Sequence, residues 1–147
     1  MALDDSAYPQ FIRVDAAIKK EYLEKLVSKN SPSCFAGQEQ GEVYLLAAAI
    51  GMANNSRQPS KARDDVRLYR SLLDNYKLLI RTVALTASDY DVSVILDGGK
   101  TLKIVEEFAN AGLKILYEKI YKDGLSFSIE DEVLKLIGER SRNEELQ

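Results

Sequence analysis

The sequence predicts an all-α fold, a single-domain irregular bundle of five or six helices, and three observations carry that prediction. Apolar residues recur at a three-four spacing from Leu68 to Ala84, and again along one wide arc from Leu102 to Ile120. A third stretch, Val43-Tyr-Leu-Leu-Ala-Ala-Ala-Ile50, is apolar nearly all the way round, as suits a helix enclosed by others. No repeat of helical-array length and no heptad run is present. At 147 residues the chain fits one domain over 1–147, with a core that needs no disulfide or metal staple.

Taken in order, residues 1–13 read as a loose lead-in, broken by Pro9. Asp15 can then cap a first helix, because its carboxylate can accept from amides that the first turn leaves without partners. Ile18, Tyr22 and Leu26 recur every four residues, with Leu23 and Val27 beside them, until Asn30-Ser31-Pro32-Ser33 ends the run. A second helix spans Gln38 to Met52 and closes at Gly51 and Asn54-Asn55-Ser56; Pro59 keeps the next residues in a loop.

The third helix is expected to bury Leu68, Tyr69, Leu72, Leu73, Tyr76, Leu79, Ile80, Val83 and Ala84. On a helix, Arg67, Arg70, Asp74, Lys77 and Arg81 would fall within about 80° of one another as a charged stripe. Ser88 to Leu96 offers strand propensity in Val92-Ser-Val-Ile-Leu96. Yet no partner strand is evident, and Ser88 with Asp91 three residues on resembles a helix cap, so a short helix is predicted.

Asp97-Gly98-Gly99 reads as a turn. The long helix Thr101 to Lys122 buries Leu102, Val105, Phe108, Ala109, Gly112, Leu113, Leu116 and Ile120. Lys103, Glu106, Glu107, Asn110, Lys114 and Glu118 fall on its other side, and Lys119 must extend its stem out from the apolar side. Gly112 in mid-helix costs about 0.5–1 kcal/mol relative to Ala, so a neighbouring helix backbone is expected to come close there. A last helix starts near Ser128, with Asp131 in its first turn and Ile129, Val133, Leu136 and Ile137 inward. The polar tail 138–147 is expected to fray.

Composition removes several classes of function. The formal net charge of −3 argues against a nucleic-acid coat, which is usually basic overall. Histidine is absent, so zinc sites built on it, the Ser-His-Asp and Cys-His pairs and histidine acid–base catalysis are excluded. The lone Cys34 cannot form an internal disulfide, which fits a reducing compartment. The first residues resemble no secretory signal, and the longest apolar stretch is far short of the roughly 20 residues of a membrane span. A soluble, cytoplasmic protein is expected, with no membrane contact.

Four features invite a chemical reading. Gly98-Gly99-Lys100-Thr101 echoes a phosphate-binding loop but lacks its preceding strand and longer glycine-spaced turn, so a plain helix start is preferred. Glu106 and Glu107 point about 100° apart on a helix and cannot converge on one ion alone, so a solvated face is the plainer reading. Lys103 and Lys114 would pair with Glu107 and Asn110 along it. Cys34, beside Phe35, reads as a small buried residue. No catalytic residue, cofactor or metal is called for.

The basic stretch weighs more. Arg57, Lys61, Arg63, Arg67, Arg70, Lys77 and Arg81 stand against Asp64, Asp65 and Asp74. Such a surface could bind an acidic protein partner or a nucleic-acid backbone, or could simply aid solubility. Arginine's planar fork favours the binding readings. A homodimer burying a wide apolar helix is a further arrangement that the sequence permits.

The run Glu42-Val-Tyr-Leu-Leu-Ala-Ala-Ala-Ile-Gly51, the Arg57-Gln58-Pro59 loop, Leu79-Ile-Arg-Thr-Val-Ala-Leu85 and Glu106-Glu107-Phe108-Ala109-Asn110-Ala111-Gly112-Leu113 follow one another in order. This order resembles the small accessory proteins encoded beside prokaryotic DNA-phosphorothioation (Dnd) defence genes, from about Glu42 to Ile120. The resemblance implies a helical, non-catalytic helper of a DNA-modification or defence system, with protein partners, and brings no catalytic residues with it. It also implies two contact surfaces: the loop at Arg57 and Pro59, and the polar face of Glu106, Glu107 and Asn110. The expected function is therefore an interaction module. Direct nucleic-acid binding by residues 57–81 is one alternative and a helical domain with no link to DNA another, and a carboxylate- or metal-dependent enzyme stands behind them.

Overall fold

Ile12 and Val14 point one way and Phe11 and Arg13 the other, a period of two that makes a strand where a loose lead-in was expected. The computed structural model describes residues 5–123 together with Leu134, Ile137 and Gly138. In it, β1 (Phe11–Asp15) pairs antiparallel with β2 (Arg63–Leu68), from Phe11 opposite Leu68 to Asp15 opposite Arg63. The register slips between Ile12 and Arg13, so that Val66 is the extra residue of a bulge. Ile12 and Val14 reach the core, while β2 presents a charged edge to water. The fold is mostly helical with this small sheet, rather than all-α.

Asp15 caps α1 as expected, its carboxylate accepting from the Ile18 amide at 3.3 Å. The helical run α1 covers Ala16–Ile18, a π-turn at Lys19–Leu23 and Glu24–Val27, and buries Ile18, Leu23 and Leu26. The second helix, α2 (Gln40–Ala53), has buried residues on every side, matching its sequence.

The third predicted helix starts late. Arg67 and Leu68 belong to β2, Tyr69–Ser71 form a 3-10 turn, and α3 runs only over Asp74–Ala87. Strand pairing wins locally, because the Tyr69 amide continues the ladder onto the Gln10 carbonyl at 2.8 Å. Tyr69, Leu72, Ile80, Val83 and Ala84 are buried as expected, but Leu73 is exposed. The charged stripe consequently does not exist as one helix face.

A short helix, α4 (Val92–Leu96), does occupy 88–96, but Asp91 caps it in place of Ser88, accepting from the Ser93 amide at 3.0 Å. The 26-residue α5 (Gly98–Asp123) is about 39 Å long and forms the spine of the core. It packs most closely on α2. A Cβ on Gly112 would overlap the Ala47 carbonyl oxygen and lie 2.5 Å from its carbon, so the predicted close approach is real. Gly51 meets the Phe108 carbonyl in the same way. The apolar arc of α5, the feature that suggested a homodimer, is thus covered within the chain by α2, α3 and β1.

Most of the predicted last helix and the tail 138–147 lie outside the described residues. Ile137, expected inward, is exposed, as is Leu134. Among the described residues no helix is long and apolar enough to cross a membrane.

Candidate functional site

Glu106 and Asn110 sit one turn apart on α5, on the side that faces β1 and the loop leading into β2. They are only 3% and 0% exposed, so the solvated face predicted for them is instead a buried polar seam. Lone polar groups there would be costly, and each is fully engaged. The Asn110 side-chain oxygen accepts from the Asp15 amide at 3.0 Å, and its nitrogen donates to the Gln58 carbonyl at 2.9 Å and the Ser60 hydroxyl at 2.8 Å. Ser60 donates in turn to Glu106 at 2.7 Å, and Arg63 closes a bidentate pair on the same carboxylate, its nearest contact at 2.8 Å. Glu106 also lies close enough to the buried Tyr44 to help burial push that phenol well above its usual range.

Asp15 completes the seam from the other side. Besides capping α1, it accepts from the Lys61 amide at 2.7 Å and the Ala62 amide at 3.4 Å. Burial by itself raises its carboxyl, but the amides of Lys61, Ile18, Ala62 and Ala17 together outweigh that and hold it below its ordinary 3.8. A carboxyl lowered in the folded state stabilises the fold above its unfolded value, and that contribution is lost as the pH falls through the folded one. Acid titration of the unfolding free energy should therefore show wild type and Asp15→Asn converging below pH 3.8, with wild type the more stable above it.

Glu107 lies at the edge of the same seam. It pairs with Arg57 at 3.2 Å, not with Lys103, and its carbonyl accepts from the Gln58 amide at 3.0 Å. Arg57 also lies over the Phe108 ring, 5.0 Å from its centroid. Lys114 reaches the Gln58 side chain at 2.6 Å instead of Asn110. The two surfaces that the sequence offered, the Arg57–Pro59 loop and the Glu106–Asn110 face, are thus folded onto each other.

The remaining cations scatter. Arg67 pairs with Glu39 across the gap between β2 and α2. Lys77 is buried, its ammonium 5.4 Å from the centre of the Tyr69 ring; Arg81 lies 5.3 Å from that of Tyr8. Those two rings stack on each other with centroids 4.7 Å apart, so the column ties residues 5–10 to α3. Arg57, Lys61, Arg63 and Arg70 are the exposed members of the predicted basic surface, and Arg57 and Arg63 among them are held by the carboxylates of Glu107 and Glu106. Sequence periodicity could not show this, since the column depends on Tyr8 and Tyr69, a pair far apart in the chain.

Gly98 and Gly99, expected in a turn, already belong to α5, whose first turn is capped by Asp97. Asp97 accepts from the Lys100 amide at 3.1 Å and the Thr101 hydroxyl donates to the Val94 carbonyl at 2.7 Å, so these groups already have partners. Cys34, expected to be buried, is exposed at the rim of a groove of about 300 Å³, lined also by Phe35, Gln38, Glu42, Val43 and Leu46. Among the described residues no three Asp, Glu, Cys or His side chains come together in a way that could hold a metal ion.

Over residues 12–147 the chain matches a family model described as DNA sulphur modification system-associated protein 4. No curated protein and no solved structure matches it.

Proposed function

The chain belongs to the DNA sulphur modification system-associated protein 4 family, and from that premise we propose that it is a non-catalytic accessory protein that works by docking onto another protein of that system in the cytoplasm. One observation supports docking over catalysis. Glu106, Asn110 and Asp15, the polar groups best placed for chemistry, are engaged in hydrogen bonds that hold the 57–63 segment against α5 and β1. A general acid or base must instead be within reach of a substrate proton. Direct DNA binding draws less support, because Arg57, Arg63 and Arg67 are paired with carboxylates and Lys77 is buried.

Co-expression of the tagged chain with each protein of the DNA sulphur modification system, followed by size exclusion after nuclease treatment, tests the proposal. Stoichiometric co-elution with one of them is expected. Failure to co-elute with any, together with retardation of duplex DNA that weakens steeply with salt, would replace the proposal with direct nucleic-acid binding.

A further inference from the structure

The turn between α3 and α4 has an unusual backbone and an unusual surface. Asp89 and Tyr90 both adopt left-handed conformations, with φ of 61° and 64°. The Tyr90 amide donates to the Leu85 carbonyl at 2.8 Å and the Asp89 amide to that of Thr86 at 3.3 Å, so the helix ends in a Schellman closure built without glycine. A bulky residue in this conformation is a genuine outlier. The strained tyrosine is not there to fill the core, for it is 66% exposed. Val92 and Leu96, one turn apart on α4, are 59% and 62% exposed.

This ledge is held from beneath. The Tyr8 hydroxyl donates to the Ile95 carbonyl at 2.7 Å, Thr101 donates to that of Val94, and Gly98 rests against the backbone of Ala7 and Tyr8. The apolar side chains are therefore presented on a fixed frame, which lowers the ordering cost of binding. Around them stand the exposed carboxylates of Asp89, Asp91 and Asp97, with Lys100 as the one cation of the 89–100 segment. Ser93, through its hydroxyl and its amide, holds the Asp91 carboxyl below its usual range.

Resting on the docking role above, we propose that Tyr90, Val92 and Leu96 form the docking surface, and that it receives an apolar side chain flanked by lysine or arginine on the partner protein. Charge selects this occupant. A second copy placed symmetrically would set aspartates against aspartates, because a two-fold contact brings the same patch together twice. A DNA backbone or an anionic lipid surface would be repelled for the same reason. Tyrosine is also among the side chains that anchor protein interfaces most strongly.

The test measures affinity for whichever system protein co-elutes with wild type. Tyr90→Gly/Leu96→Ser should weaken binding about thirtyfold or more, the scale of a lost hot spot. Its melting temperature should hold or rise, since glycine relieves the left-handed strain at position 90. Asp89→Asn, which suits the same backbone, should weaken binding and flatten its salt dependence. It also serves as the test should the double variant not fold. If wild type binds but these variants bind equally well, the surface is wrong and the docking role stands. If wild type binds none of the system's proteins, the docking role itself fails. Self-association in sedimentation that Tyr90→Gly/Leu96→Ser abolishes would overturn the proposed occupant in favour of a second copy.

Discussion

Gly112→Ala is expected to destabilise the protein by about 3 kcal/mol or more, although helix propensity alone favours alanine by roughly 0.5–1 kcal/mol. The sign follows from what the new methyl meets. It would overlap the Ala47 carbonyl, an atom fixed in the hydrogen-bonded backbone of α2 rather than the free end of a side chain. Relief requires α2 and α5 to move apart, and theirs is the most extensive contact in the fold. Ala47, Ala48, Phe108 and Ala109 would then lose their packing together. Against a typical total stability of about 5–15 kcal/mol, that is a large share. Urea unfolding monitored by circular dichroism measures it; an unchanged or raised midpoint would mean that the helices are not in backbone contact.

Asn110→Ala is expected to cost about 2–4 kcal/mol, at about 1–3 kcal/mol for each buried group left without a partner. The Asp15 amide loses its acceptor, and the Gln58 carbonyl and Ser60 hydroxyl lose a donor. Because Asp15 and Ser60 continue the network to Lys61 and Glu106, the effects of Asn110→Ala and Glu106→Ala should not add. A double-mutant cycle by urea unfolding checks this. Additive losses would show two independent sites rather than one seam. Glu106→Ala alone should cost less than Asn110→Ala, since the Arg63 side chain is 46% exposed and can turn to water.

Local signals carried much of this architecture. The apolar girth of 43–50, the arc of 102–120, the cap at Asp15 and the cost of Gly112 each concern a few neighbouring residues, and each has its counterpart in α2, α5, α1 and the α2–α5 contact. The family resemblance drawn from Glu42 to Ile120 is matched by the family model over 12–147.

What depended on distant partners was hidden. The alternation of Ile12 and Val14 was there to be read, but the strand that completes it lies some fifty residues away in the polar Arg63–Leu68. That pairing takes Arg67 out of the predicted helix and brings Arg63 to Glu106, turning a helix surface into an interior. Spacing could place Glu106, Glu107 and Asn110 on one side of α5; it could not say that a loop would cover them. Nothing in the residues 88–91 announces two left-handed positions in a row, so the sequence carries no signal of the ledge at Tyr90. Glycine or asparagine would have supplied one.

The polar residues of α5 bind the 57–63 loop permanently into the body of the protein. Native-state hydrogen exchange at the amides of Asp15, Gln58 and Lys61 measures it directly, since their acceptors are Asn110, Glu107 and Asp15. These three amides should exchange only as slowly as the α2–α5 core opens. Exchange near the rate of an unstructured peptide at Gln58 and Lys61, with the α5 amides still protected, would contradict it and return Glu106 and Asn110 to solvent as a free face.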